Sequence, residues 1–243
     1  MGKEYRNKGF SLAEVLLAIG VLAVGVLFVA GVFPVGVHLT TVVAEQTIAS
    51  IAADEAFAKV KLYAKGKLDD PNDDVDVSKL ATNHLLDFND PNIFPAAAEA
   101  NENEFTYPSI DAPIEEKHYY WSALCRRVDL NSRLVQVTVF ISRKVGSVEI
   151  PTPRMVGVSG TTGDNELTIT GNKTFVNDGY TIVDDKTGRI YRVLERYASA
   201  DNTILLDRNW EGGSGTENIW VVPPPVGGGR GPCVGVYQKV IRF

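Results

Sequence analysis

The apolar residues of this chain are gathered at one end. From Val15 to Val37 there are 23 residues without a charge. At ~1.5 Å per helical residue that run crosses a hydrocarbon core ~30 Å thick, so a membrane-spanning helix is predicted. Lys3, Arg6 and Lys8 precede it. A secretory signal peptide shares this order, but its apolar region has only ~7–15 residues and ends at a small-x-small site. Phe33-Pro34-Val35-Gly36 is a poor site of that kind, and the segment reads as retained. Gly20, Gly25, Gly31 and Gly36 recur at spacings that let helices approach closely in lipid. Pro34 predicts a kink or local opening. The helix should then resume near Leu39 and run to about Ala64, with Ile48, Ile51, Ala52, Ala56, Leu62 and Tyr63 on one face. Glu55 and Lys59 make an i,i+4 pair, and Gly66 ends the element.

Beyond the helix the pattern changes twice. Residues 67–117 are rich in Asp, Asn and Pro and read as a variable loop, with a short helix around Ser78 to Leu86. Tyr119 to Arg127 and Leu134 to Arg143 are aromatic and β-branched, with Asp129-Leu130-Asn131-Ser132 as turn between them, so a hairpin is predicted over 118–153. Glu166 to Thr170, Tyr180 to Asp184, Arg189 to Tyr197, Thr203 to Asp207 and Ile219 to Val222 are short strand signals separated by Gly, Asp and Asn. Such spacing over 154–222 predicts a small barrel or sandwich. Residues 223–243 hold Pro223-Pro224-Pro225, Gly227-Gly228-Gly229 and a last strand, Val234 to Phe243, that returns to the hairpin sheet. The fold class is α+β: a long N-terminal helix on an antiparallel sheet, with an added all-β module.

Composition narrows the function. A chain of 243 residues, 44% hydrophobic and 22% charged, can bury one medium core or two small ones. A net charge of −6 without a basic stripe argues against nucleic acid as a partner, because displacing phosphate counterions needs clustered cations. Cys125 and Cys233 lack zinc spacing, and the returning strand leaves two readings, one disulfide or two buried thiols. Asp185-Lys186-Thr187-Gly188 matches the phosphorylated tetrapeptide of P-type ATPases, yet between two strand signals it is ordinary turn chemistry. Asp70, Asn72 and Asp74 open like a calcium loop, but Val75 and Ala81 stand where Gly and Glu are needed. Calcium is left only as a ligand of some other geometry, and no cofactor is expected. Gly157-Val158-Ser159-Gly160-Thr161 is one Gly short of a nucleophile elbow. His38, His84 and His118 are scattered, and there is no HExxH or phosphate-binding loop. An enzyme is not expected.

Glu14 is the residue that composition leaves unexplained. It lies among Phe10, Leu12, Val15, Leu16 and Leu17, where an ionised carboxylate costs ~2.5–3.5 kcal/mol. Either it snorkels to the headgroups or it has a partner. Lys8-Gly9-Phe10-Ser11-Leu12-Ala13-Glu14-Val15 resembles the class III signal of type IV prepilins and type II secretion pseudopilins. The resemblance implies that a prepilin peptidase cuts between Gly9 and Phe10 and methylates the Phe10 amine. It also implies that residues 1–9 are a leader and that 10–66 form the helix. Glu14 would pair with the Phe10 amine of a neighbouring subunit; a carboxylate and an ammonium are each costly in lipid alone and tolerable together.

Further implications concern place and partners. The resemblance implies a single-pass protein of the bacterial inner membrane, its N-terminus cytoplasmic and its C-terminal domain periplasmic or extracellular, entering a surface filament after assembly. Partners would be the peptidase, other pilin or pseudopilin subunits, membrane lipid and, indirectly, an assembly ATPase and its platform. Some pseudopilins bind calcium, though no motif carries that over. The leading expectation is a minor pilin or pseudopilin of a type IV pilus or type II secretion-like filament. The alternative is a membrane-anchored adhesin or ligand-binding module. Exposed aromatics such as Trp210, Tyr180 and Tyr191 would favour it, and a fully packed barrel would count against it.

Overall fold

A computed structural model describes residues 10–64, 77–98, 100–109, 117–144, 150–197, 202–225 and 231–243. Gly9, Gly66, Asp70, Asn72, Asp74 and Gly227 to Gly229 lie outside the described residues. The leader, the calcium-like triplet and the glycine linker therefore have no structural account.

Helix α1 spans Leu12–Tyr63. It does not stop at Pro34 and restart near Leu39, because residues 34 to 39 are helical throughout. Proline removes one N–H donor and crowds the carbonyl four residues back, but the neighbouring turns keep their bonds. The hydroxyls of Thr40 and Thr41 add donors to the Val37 carbonyl, at 2.8 and 2.9 Å. The chain divides within this helix into two compact units, 1–45 and 46–243. In the first, apolar side chains point outward all round; Leu27, Phe28 and Val29 are 72%, 73% and 67% exposed.

In the second unit, α1 buries Ala49, Ala52, Ala53, Ala56, Phe57 and Val60 against the sheet. The predicted face is turned. Ile51 and Leu62 are each 51% exposed, because the sheet approaches along the alanines, whose small side chains permit close packing. Apolar residues lie on both sides of this stretch, so periodicity could not choose between them.

The sheet holds β1 (Leu86–Asp87), β2 (Thr106–Tyr107), β3 (Tyr119–Arg127), β4 (Leu134–Arg143) and β11 (Cys233–Arg242), all antiparallel. The order is β1-β3-β4-β11, with β2 also on β3. The hairpin strands have the bounds read from the sequence. Their turn is closed by Asp129, whose carbonyl accepts from the Ser132 N–H at 3.2 Å and whose carboxylate accepts from the Asn131 N–H at 3.3 Å. The helix expected over Ser78 to Leu86 is absent. A 3-10 turn at Val77–Lys79 is followed by chain laid along β3, where the Ala81 carbonyl accepts from the Arg127 N–H at 2.8 Å. Pairing with β3 outcompeted an isolated short helix, which is marginal in water. A four-residue helix α2 (Pro95–Ala98) and a 3-10 turn at Glu102–Phe105 complete this side.

Strands β5 (Arg154–Gly160), β6 (Glu166–Ile169), β7 (Thr181–Asp184), β8 (Ile190–Arg196), β9 (Thr203–Leu206) and β10 (Gly215–Val221) close a barrel in the order β10-β5-β6-β9-β8-β7. Strand β5 has no strand signal because of its glycines. Each is required by close approach: a Cβ at Gly160 would lie 2.2 Å from Leu167 Cδ2, and one at Gly157 2.8 Å from Thr170 Oγ1. The barrel is an insertion, since β4 and β11 on either side of it pair directly from Leu134↔Arg242 to Ser142↔Cys233. Its own first and last strands pair from Gly160↔Gly215 to Arg154↔Val221, which brings its ends together.

The barrel sits on the sheet face opposite α1. Val183, Val222, Ile190 and Trp220 pack there on Leu85, Leu124, Phe140 and Val236. This sandwich overturns the disulfide reading. Cys125 faces α1 and pairs with Val137, whereas Cys233 lies on the barrel side and pairs with Ser142. Five residues along a strand are ~17 Å, and a disulfide needs Cα atoms within ~7 Å. Both thiols are free. Burial raises the pKa of each, that of Cys233 to about 12.

Candidate functional site

Helix α1 begins at Leu12, which leaves Phe10 and Ser11 as non-helical chain and Phe10 87% exposed. Ser11 stands at the N-cap and Glu14 three residues on. The Ser11 N–H donates to Glu14 Oε2 at 2.9 Å, and the Ser11 hydroxyl approaches the same oxygen at 3.1 Å. The Glu14 N–H donates back to Ser11 Oγ at 3.2 Å. This is a reciprocal capping box, which satisfies two of the N–H groups that a helix start leaves unpaired. The carboxylate also sits at the positive end of the helix dipole.

Two consequences follow for chemistry at this end. The backbone at Phe10 and Ser11 is outside the helix, so chemistry at Phe10 does not require unwinding α1. The Glu14 bonds all fall on Oε2, so the carboxylate is held by its own chain at one oxygen. Ser11 was missed in the sequence reading, although Ser-x-x-Glu ahead of an apolar run is its signal.

A family model described as the prokaryotic N-terminal methylation motif matches residues 5–30. The chain carries the prokaryotic N-terminal methylation motif. The match is consistent with the class III signal of type IV prepilins and pseudopilins and supports a pilin-like precursor. A prepilin-type motif implies processing by a peptidase and assembly with other subunits, and the apolar helix that follows fits membrane anchoring. No curated protein and no solved structure matches the chain.

The part of the chain beyond the motif places the other candidates elsewhere. Trp210 is fully buried and Tyr191 is 1% exposed, their rings 5.2 Å apart in the barrel core. The Trp210 indole N–H donates to the Gly213 carbonyl at 2.8 Å, and the Tyr191 hydroxyl accepts from the Glu211 N–H at 3.0 Å. Tyr180 packs half-buried on the same core. These three form no exposed aromatic patch. The reason is closure: inward positions of a small barrel must be filled, and large aromatics fill them.

Asp185-Lys186-Thr187-Gly188 is a turn between β7 and β8, as its composition predicts. The Asp184 carboxylate accepts from the N–H groups of Lys186 and Thr187 and from the Thr187 hydroxyl, while the Gly188 N–H donates to the Asp184 carbonyl at 2.9 Å. Gly188 has φ +70, which suits glycine. Burial holds the Asp184 carboxyl above its ordinary range.

The same turn fastens the barrel to the sheet. Asp185 Oδ1 accepts from the Leu85 N–H at 3.0 Å and the Trp220 indole N–H at 2.7 Å. Arg126 donates to the Lys186 carbonyl at 3.0 Å, and Gln238 to the Gly188 carbonyl at 2.7 Å. His38, His84 and His118 are exposed and far apart in sequence, and among the described residues no three His, Cys, Asp or Glu side chains could hold a metal ion together.

Proposed function

We propose that this chain is a structural subunit, a minor pilin or pseudopilin, of a type IV pilus or type II secretion-like filament. The observation that carries the reading is the methylation motif meeting a helix that starts two residues after the cut. A prepilin peptidase hydrolyses the Gly9–Phe10 bond on the cytoplasmic side of the inner membrane, and the new Phe10 amine is methylated. Residues 1–9 are the leader, and the apolar part of α1 is the anchor. Glu14 then pairs with the Phe10 amine of a neighbouring subunit. Only cleavage creates that amine, so cleavage licenses assembly. The head projects into the periplasm or beyond, and a separate ATPase and platform drive extension. The chain itself performs no catalysis in this scheme.

The binding-module alternative gains nothing from Trp210 and Tyr191, which lie in the barrel core. The test is N-terminal mass spectrometry of membrane-associated and filament-associated protein. A terminus at methylated Phe10 is expected, and full-length precursor in purified filaments would refute the reading.

A further inference from the structure

The two sheets of the second unit end differently. The barrel closes on itself and leaves no free strand. In the other sheet the outer side of β3 is covered: β1 and β2 pair with it, the Phe88 N–H donates to the Ala123 carbonyl at 2.9 Å, and the Arg127 N–H donates to the Ala81 carbonyl at 2.8 Å. Strand β11 lies at the opposite end of the order, ten residues long, with β4 as its only partner strand among the described residues.

Register fixes which backbone groups of β11 are unused. The Phe243 N–H donates to the Arg133 carbonyl at 3.1 Å, and bonded and non-bonded pairs alternate along an antiparallel ladder, so Tyr237, Lys239 and Ile241 exchange bonds with β4. On the other side of β4 the Val128 N–H donates to the Leu134 carbonyl at 3.0 Å, which turns Leu134 toward β3 and leaves Arg242, opposite it, unbonded in the β4–β11 ladder. Val236, Gln238, Val240 and Arg242 therefore direct their N–H and C=O groups outward, where those groups have no hydrogen-bond partner among the described residues. Gln238, Val240 and Arg242 are exposed as well, Val240 by 54%. Edge strands are usually blunted by proline, by a bulge or by covering chain. Strand β11 has no proline, and its one bulge lies between Cys233 and Gly235, at the end away from Val240.

Such a row of alternating donors and acceptors is complementary to one kind of ligand, another extended backbone. Charge narrows the choice. The chain carries −6 overall, yet β11 holds Lys239 and Arg242 and no acidic side chain. Successive side chains alternate across the sheet, so the two cations lie on opposite faces. Lys239 is on the α1 side, 5.3 Å from the Phe57 ring and 3.7 Å from the exposed Asp54 carboxylate, a pair that water screens. Arg242 has no ion pair among the described residues. Two β11 edges laid together would bring like charges alongside, which disfavours a second copy. We propose that β11 is a docking edge for an extended, acidic peptide segment of another protein. The segment adds as a further strand beside Gln238 to Arg242, its backbone taking up the outward groups and its carboxylates meeting Lys239 on one face and Arg242 on the other.

The test uses the full chain in lipid nanodiscs, with a capped ten-residue peptide of alternating valine and glutamate as probe. Amide exchange at Gln238, Val240 and Arg242 should slow about tenfold when the probe is at ten times its Kd. Lys239 and Ile241, whose amides already serve β4, should be unchanged. The same peptide N-methylated at every amide should give no protection, and a valine–lysine peptide should bind more weakly. Val240→Pro removes one outward N–H and no bond to β4, at a position where edge strands accept proline, and should abolish protection. Arg242→Glu should weaken the valine–glutamate probe roughly two- to fivefold and strengthen the valine–lysine one. Protection by the N-methylated peptide, protection confined to other strands, no protection, or indifference to Arg242→Glu would each overturn the proposal. Slow exchange at these three amides in the chain alone, lost on dilution, would overturn it too, because the edge would then belong to a second copy.

Discussion

The N-terminal segment and the head use the same apolar chemistry to opposite ends. Between Phe10 and Val43 the large side chains face outward, and one carboxylate among them is held by a serine three residues away. In the head, residues of the same types are enclosed between helix, sheet and barrel, and polar contacts join residues a hundred or more positions apart, as Leu85 does with Asp185. The first region encloses no interior of its own, which fits membrane anchoring, and needs only local geometry. The second makes its own interior and depends on long-range pairing.

That contrast is easiest to break at its sharpest point. Gly9→Val should abolish cleavage and with it filament entry, while Glu14→Val should leave cleavage intact and still impair incorporation; gel mobility with N-terminal mass spectrometry separates the two. Loss of cleavage in Glu14→Val would place that residue in peptidase recognition. In the head, Trp210→Ala should destabilise the barrel by ~3–5 kcal/mol, the usual cost of emptying a buried aromatic site. Chemical denaturation would show it, and processing at Phe10 should be unchanged.

Asp185→Ala should cost ~1–3 kcal/mol by leaving the Leu85 N–H and the Trp220 indole without an acceptor. Protease sensitivity at the barrel–sheet boundary would report it. Ser11→Ala should cost ~0.5–2 kcal/mol at the helix start, seen as faster amide exchange over 11–15, and Ser11→Thr should restore protection. The smallest effect concerns pH. Hydrogen bonding to Lys59 holds the Glu104 carboxyl below its ordinary value of 4.5. A carboxyl lowered on folding stabilises the fold above that value, and the contribution is lost as pH falls below it. Because the side chain is 45% exposed, the effect should be slight. Stability curves of wild type and Lys59→Met should converge at low pH; parallel curves would show that the pair is silent.

Legibility followed the range of the interactions. The hairpin strands were readable to the residue because alternation and turn chemistry are local. Strand β5 was not, because its glycines serve neighbours on other strands or turns, Thr170 for Gly157 and Leu167 for Gly160. Ser11 was readable and overlooked. The turned face of α1 was unreadable, since Ile51 and Ala52 are both apolar and only the approaching sheet decided between them.

By itself the sequence determined an uninterrupted apolar span, a methylation signal, a lone carboxylate just ahead of the span, and an α+β order of elements with a β-rich insertion. Tertiary structure alone decided that Cys125 and Cys233 lie on opposite sides of the sheet, that Trp210 is core, and that Asp185 fastens the barrel instead of merely shaping a turn. A motif acts within a few residues of itself and can be read there. Burial and pairing depend on what the rest of the chain brings alongside, which no single stretch contains.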